Sequence, residues 1–108
     1  MATYTNTSYV AKNVGTSAST LTTVATATTA AVASLIVSNT TNAPITTSVY
    51  FTRSAVDYYL VYNATIPVGG SLECMQGSRV VLIAADVLKV VNSAASSGDC
   101  IASVLLAS

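Results

Sequence analysis

Chemistry needs groups that ionise or attack, and this chain of 108 residues has few of them. Asp57, Glu73, Asp86 and Asp99 are its only carboxylates, and it contains no histidine. Without an imidazole, nucleophilic machinery of the Ser/His/Asp and Cys/His kinds is excluded, as is any histidine-based metal site. Two carboxylates suffice for glycosidic acid/base work. The positions argue against it: Asp57 follows Ser54-Ala55 at a strand start, Asp86 sits where a turn enters a strand, and Asp99 follows Gly98 in a loop. The expectation is a protein that is not an enzyme, with no catalytic residue, cofactor or metal ligand.

Cys74 and Cys100 cannot by themselves complete a structural zinc site. A disulfide between them needs neighbouring strands, and the default for a chain made in a reducing cytoplasm is two buried apolar thiols. Gly69-Gly70 and Gly77 lie in no phosphate-binding spacing, so they read as turn glycines. The sequons at Asn6, Asn39 and Asn63 arise readily in a Thr-rich chain, and no secretory signal accompanies them. What remains is aromatic. Tyr58, Tyr59 and Tyr62 fall in one short stretch, and with Tyr4, Tyr9 and Tyr50 they are the candidate contact residues, because rings on a β face stack on sugars or on partner proteins. Strict alternation sends Tyr58 and Tyr62 to one face and Tyr59 to the other.

Composition points the same way. Only 7% of residues are charged and the net charge is zero, against about 25% charged in ordinary soluble domains. Eight charges on a monomer of this mass leave about one per 700 Å² of surface by the usual area scaling. Near-zero net charge favours association, so much of the surface is expected to face other protein. Nucleic acid is not an expected partner, since no basic patch exists to replace counterions. Neither is a membrane: the longest strongly apolar stretch, residues 30–37, is too short to span one as a helix.

The elements that must carry these residues are strands. β-branched residues and period-2 alternation run nearly throughout, and helical spacing is never sustained. Residues 4–12 and 19–28 read as Thr-rich strands, either of them an edge. Residues 31–38, with Leu35-Ile36-Val37 apolar on both faces, read as a central strand covered on both sides. They are expected to form a hairpin with residues 45–53 across the turn formers Asn39 to Pro44. Residues 57–63, an extended turn through Ala64 to Gly70, and short strands over 71–75, 79–83, 86–92 and 100–106 follow, with a break at Gln76-Gly77. Roughly eight strands at short spacing predict one all-β domain over residues 1–108, a β-sandwich of jelly-roll or immunoglobulin-like topology.

Three segments in this order, Ala33 to Val49, Tyr59 to Glu73 and Ala84 to Val90, resemble small structural proteins encoded in the virion gene clusters of tailed bacteriophages. The shared pattern is a strand ending in an Asn-Thr turn, then Tyr59-Leu60, Asn63, Ile66-Pro67, Gly69 and Ser71-Leu72-Glu73, then a Leu-x-Ala-Gly-Asp strand start. Here Ala85 stands where a glycine commonly precedes the aspartate. Pro67 fixes φ as the chain leaves one strand and Gly69-Gly70 lets it turn, so the middle segment is a corner.

The resemblance implies a virion protein assembled in the host cytoplasm that works by contact. The leading expectation is a head decoration or cement protein, homo-oligomeric with a trimer favoured, bound to the major capsid protein. Residues 1–30 are expected to act as an arm or edge strand against a neighbouring subunit. The alternative is a tail, collar, baseplate or fibre component, including a receptor- or carbohydrate-binding module.

Overall fold

The computed structural model describes residues 4–75 and 80–107. Among these lie nine strands: β1 (Tyr4–Val14), β2 (Ser19–Thr23), β3 (Thr29–Asn39), β4 (Ile45–Arg53), β5 (Val56–Ile66), β6 (Ser71–Glu73), β7 (Val80–Leu82), β8 (Val87–Asn92) and β9 (Gly98–Ala107). They form two antiparallel sheets. One runs β1-β9-β3-β6, with β7 also on β3, and the other runs β2-β8-β4-β5. β6 and β7 take turns along one edge of β3, at Ile36 to Ser38 and Ala30 to Val32 respectively. Counted as one split strand, they leave eight.

The pairs β1·β9, β2·β8, β3·β6/β7 and β4·β5 are nested, first with last and inward to the middle. That nesting in two facing sheets is a jelly roll, which decides between the two sandwich topologies. Leu35 and Val37 of β3, Cys100 and Ala102 of β9, Val49 of β4 and Leu88 and Val90 of β8 meet in the core, all with no exposure. β1 and β2 are the outer strands of their sheets, so both strands within residues 4–23 are edges.

Four expectations from the sequence are corrected. β3 and β4 lie in different sheets and make no hairpin; the true hairpin is β4·β5, closed by Ser54-Ala55 between paired Arg53 and Val56. Both turn residues have positive φ, 53° and 63°, the conformation of a two-residue hairpin turn that usually announces itself as Asn-Gly. β3 is central but not covered on both sides, because Ile36 is 40% exposed. β2 stops at Thr23, beyond which the Val24 N–H bonds to the Asp86 carbonyl and Ala27 turns with φ 61°. Residues 64–66 belong to β5 rather than to a turn. The expected break at Gln76-Gly77 and the strand start at Arg79 lie outside the described residues.

The corner is a reverse turn: the Gly70 N–H bonds to the Pro67 carbonyl at 3.0 Å with Gly69 at φ 72°. An equivalent turn enters β8, where the Asp86 N–H bonds to the Ile83 carbonyl at 3.1 Å and Ala85 has φ 72°. The glycine conformation is therefore kept at Ala85 without the glycine. A left-handed L-residue costs about 1–2 kcal/mol, and glycine costs about 0.5–1 kcal/mol in unfolded-chain entropy. Ala85→Gly is accordingly expected to raise stability by about 0.5–1 kcal/mol, measured as a higher urea midpoint. Gly98 is the opposite case, since a Cβ there would collide with the Ser38 carbonyl oxygen and sit 2.8 Å from the Asn92 amide nitrogen. Gly98→Ala is expected to cost about 2–3 kcal/mol in the same titration; an unchanged midpoint would show that β9 shifts freely at its start.

Candidate interaction surfaces

The tyrosines are arranged by two irregularities in β5. β4 and β5 pair Tyr50 with Tyr59 and Val49 with Val61, so Leu60 is an extra residue. Thr47 pairs with Ala64, so a second extra residue falls between Val61 and Ala64, where Asn63 has φ 48°. The second bulge is stitched by Ser48, whose hydroxyl oxygen accepts the Asn63 N–H at 2.9 Å and whose O–H donates to Asn63 Oδ1 at 3.3 Å. Each extra residue resets the side-chain parity. Contrary to strict alternation, Tyr59 and Tyr62 therefore share a face, with ring centroids 4.9 Å apart and planes 89° to each other. Tyr50, the register partner of Tyr59 on β4, is buried beside it, with ring centroids 4.9 Å apart. Burial first, then the nearby Asp57 and Tyr59, push the Tyr50 hydroxyl above its ordinary pKa.

Tyr58 points the other way. It stacks on Phe51 at 5.4 Å, and Arg53 lies over the same Phe51 ring at 5.1 Å. The Arg53 guanidinium continues to Asp86, with Nε donating to Oδ1 at 2.9 Å and Nη2 donating to Oδ2 at 2.6 Å. Asp86 is almost wholly buried, and its Oδ2 also accepts the Ile83 N–H at 2.9 Å. Tyr9 packs against the core and lines a cleft of about 230 Å³ with Thr22, Thr23 and Leu106. Tyr4 is exposed at the start of β1. Of the six candidate tyrosines, three converge on one patch.

The other carboxylates are also engaged. Glu73 accepts the Ser34 hydroxyl and the N–H groups of Leu35 and Met75. Asp99 accepts the Asn13 N–H and pairs with exposed Lys12 at 3.3 Å. Asp57 accepts the Thr52 hydroxyl at 2.7 Å. Each carboxylate is tied to the turn or strand that carries it. The two cysteines are free and buried. Cys100 pairs with Val37 on one side of β3, and the Cys74 N–H bonds to the Leu35 carbonyl on the other. Two strand spacings, about 10 Å, separate them, which is beyond disulfide reach. Burial pushes both thiols up to about 12, so neither is a reactive thiolate.

One surface was not foreseen. Val10, Ile101 and Ile36 are register partners across β1, β9 and β3, and they are 71%, 51% and 40% exposed. They form an apolar row on the outer face of the first sheet, bordered by the hydroxyl row Ser8, Ser103, Ser34 and by the Lys12–Asp99 pair. The signal lay in Leu35-Ile36-Val37, whose second apolar face was assigned to a covering layer within the chain.

No protein-family model matches the sequence, and no curated protein matches it. Among solved structures, a protein of the Bacillus endospore appendages, which form disulfide-linked pili, has a TM-score of 0.57 at 10% identity, over 98% of this chain and 86% of that one. A structure of infectious bursal disease virus, Gt strain, aligns with a TM-score of 0.40 at 11% identity. The chain spans 32% of that viral chain. The appendage protein shares the fold.

The Arg53–Asp86 pair gives a pH dependence. The Arg53 hydrogen bond, then the Ile83 N–H and the Arg53 charge, hold the Asp86 carboxyl below its ordinary range against the cost of burial. A depressed folded-state pKa contributes stability that is full above the unfolded value, about 3.9, and is lost as pH falls through the folded one. Urea midpoints are therefore expected to drop from pH ~5 to pH ~2. Asp86→Asn should cost about 2–3 kcal/mol at pH 7 and flatten that drop. An equally steep drop in the variant would assign the acid sensitivity to other carboxylates.

Proposed function

We propose that this chain is a structural subunit of a protein assembly, joined to its neighbours through the free edge of β1. The observation that carries the reading is the state of that edge. β1 is 11 residues long and terminates its sheet. From Tyr4 to Ala11 it follows β9 without a register shift. Among the described residues, Tyr4 to Lys12 make no backbone hydrogen bond outside that ladder. An extended strand with unpaired N–H and C=O groups is a template for another strand, and monomeric proteins blunt such edges with charges, prolines or bulges. β1 has one charge, Lys12, already partnered by Asp99, no proline, and a bulge only past Ala11, where Asn13 has φ 54°. The apolar row Val10, Ile101, Ile36 starts on this same strand, so a neighbour docked along β1 would also find apolar surface to bury.

Within this class, the resemblance to tailed-phage virion proteins supports a virion component, and a head decoration protein bound as a trimer to the major capsid protein is the form we favour. The shared fold with an appendage subunit supports assembly more generally, and leaves tail or fibre attachment as the second reading.

Size-exclusion chromatography with light scattering tests the proposal, on the purified chain alone and with undecorated heads of the encoding phage. A trimer that saturates heads and raises their melting temperature is expected, with Asn6→Lys/Ser8→Lys, both on exposed β1 positions, reverting it to a folded monomer that no longer binds. A chain that is monomeric at all concentrations and leaves heads unchanged overturns the reading. Oligomers indifferent to the β1 charges would remove β1 as the joint.

A further inference from the structure

We infer that the outer face of the second sheet, at Tyr59 and Tyr62, is a carbohydrate-binding platform that stacks the C–H face of a pyranose.

The first support is that the sequence departs from regular β structure in order to build the patch. The bulge at Leu60 turns Tyr59 and Tyr62 to the same side, and a second bulge follows directly after Tyr62, with Asn63 at φ 48°. Bulges re-aim side chains and recur beside functional sites. A non-glycine residue at positive φ carries a strain that the surroundings must hold, and the two Ser48–Asn63 hydrogen bonds hold it.

The second support is the geometry of the rings. Tyr62 is 68% exposed and Tyr59 48% exposed, while Tyr50 is buried against Tyr59 on the neighbouring strand. Rings at 89° form a corner of two perpendicular aromatic surfaces, against which the C–H face of a sugar can be laid. A pyranose is amphipathic, with a face of C–H groups and a rim of hydroxyls, so its site needs an aromatic floor and a polar border.

That border is present. Register places Lys89 beside Tyr50 on β8, and Thr52 and Asp57 two positions along on β4 and β5. Thr65 and Asn63 are exposed at the other end. Lys89 makes no ion pair among the described residues, and one oxygen of Asp57 takes the Thr52 hydroxyl while leaving the other for a sugar hydroxyl. This face has no exposed aliphatic row of the kind that protein partners bury. The exposed row Val10, Ile101, Ile36 is on the opposite sheet. Protein contact and glycan contact thus fall on opposite sides of the sandwich. A two-ring site open to solvent implies a monovalent dissociation constant on the order of 1 mM, which many copies in an assembly would raise to useful avidity.

The experiment is saturation-transfer difference NMR of the purified chain with maltotriose, cellotriose, chitotriose and galactobiose. Saturation of ring C–H protons in at least one of them is expected, with shifts of the Tyr59 and Tyr62 ring signals. Tyr62→Ala should weaken binding at least about tenfold, the scale of losing a principal contact. Tyr62→Phe should retain it, and Tyr58→Ala, on the other face, should leave it unchanged. The Asn6→Lys/Ser8→Lys variant should bind each sugar as the parent does, so a failed assembly reading and a failed glycan reading are separable. Absence of transfer from all four sugars, or transfer that survives Tyr62→Ala, overturns the inference. A change of oligomeric state in Tyr62→Ala would make the face a protein interface and overturn it equally.

Discussion

The jelly roll depends on what one buried amide does. Asn39, at the end of β3, donates through Nδ2 to the carbonyls of Ala43 at 2.8 Å and Ile66 at 3.1 Å, with a longer contact to Pro67. Its Oδ1 accepts the N–H and the hydroxyl of Thr41. Its own N–H reaches the Gly70 carbonyl at 2.9 Å. One residue thus fixes the crossover from β3 to β4 and the return from β5 to β6. The crossovers from β1 to β2 and from β8 to β9 are tied nearby: the Val14 carbonyl accepts the Ser97 N–H and the Asn92 amide, and the Thr40 N–H joins the Ser97 carbonyl. Buried polar groups cost about 1–3 kcal/mol each when unpaired, so these partners specify where the chain changes sheet.

At the opposite end an ion pair takes the same part. Asp86 anchors Arg53, at the end of β4, and Ile83, at the start of the turn that follows β7. Its carbonyl receives the Val24 N–H after β2. Desolvating a carboxylate is costly unless charge and hydrogen bonds replace the water, and the guanidinium with the backbone N–H does so here. Ala85 is held at positive φ by this network, so the turn keeps a conformation that glycine adopts more readily.

The sequence disclosed what is local. Alternation located the strands, and Pro67 with Gly69-Gly70 located the corner, because those signals act over a few residues. Asn39 was visible only as a turn former, since its partners at Ile66 and Pro67 are 27 and 28 residues away. The nested pairing was invisible for the same reason: Tyr4 opposite Ala107 leaves no trace in either segment. The mistaken β3·β4 hairpin came from weighing Asn39 to Pro44 above Ser54-Ala55, where the strained turn residues lack the expected types. The tyrosine patch was half legible, for the cluster showed in composition while its facing was set by bulges that only pairing with β4 reveals.

The long edges of the two sheets have opposite designs, and this links fold to function. β5 ends its sheet with two bulges and a residue at positive φ, which break the even row of donors and acceptors that a foreign strand would need. β1 ends the other sheet in unbroken register as far as Ala11. A chain so poor in charge has few side chains with which to protect an edge, so backbone geometry is its remaining means of choosing where to associate. The irregular edge is closed to strand pairing and displays side chains instead, while the regular edge stays open. The two long edges thus offer different surfaces, an even row of backbone groups along β1 and side chains along β5.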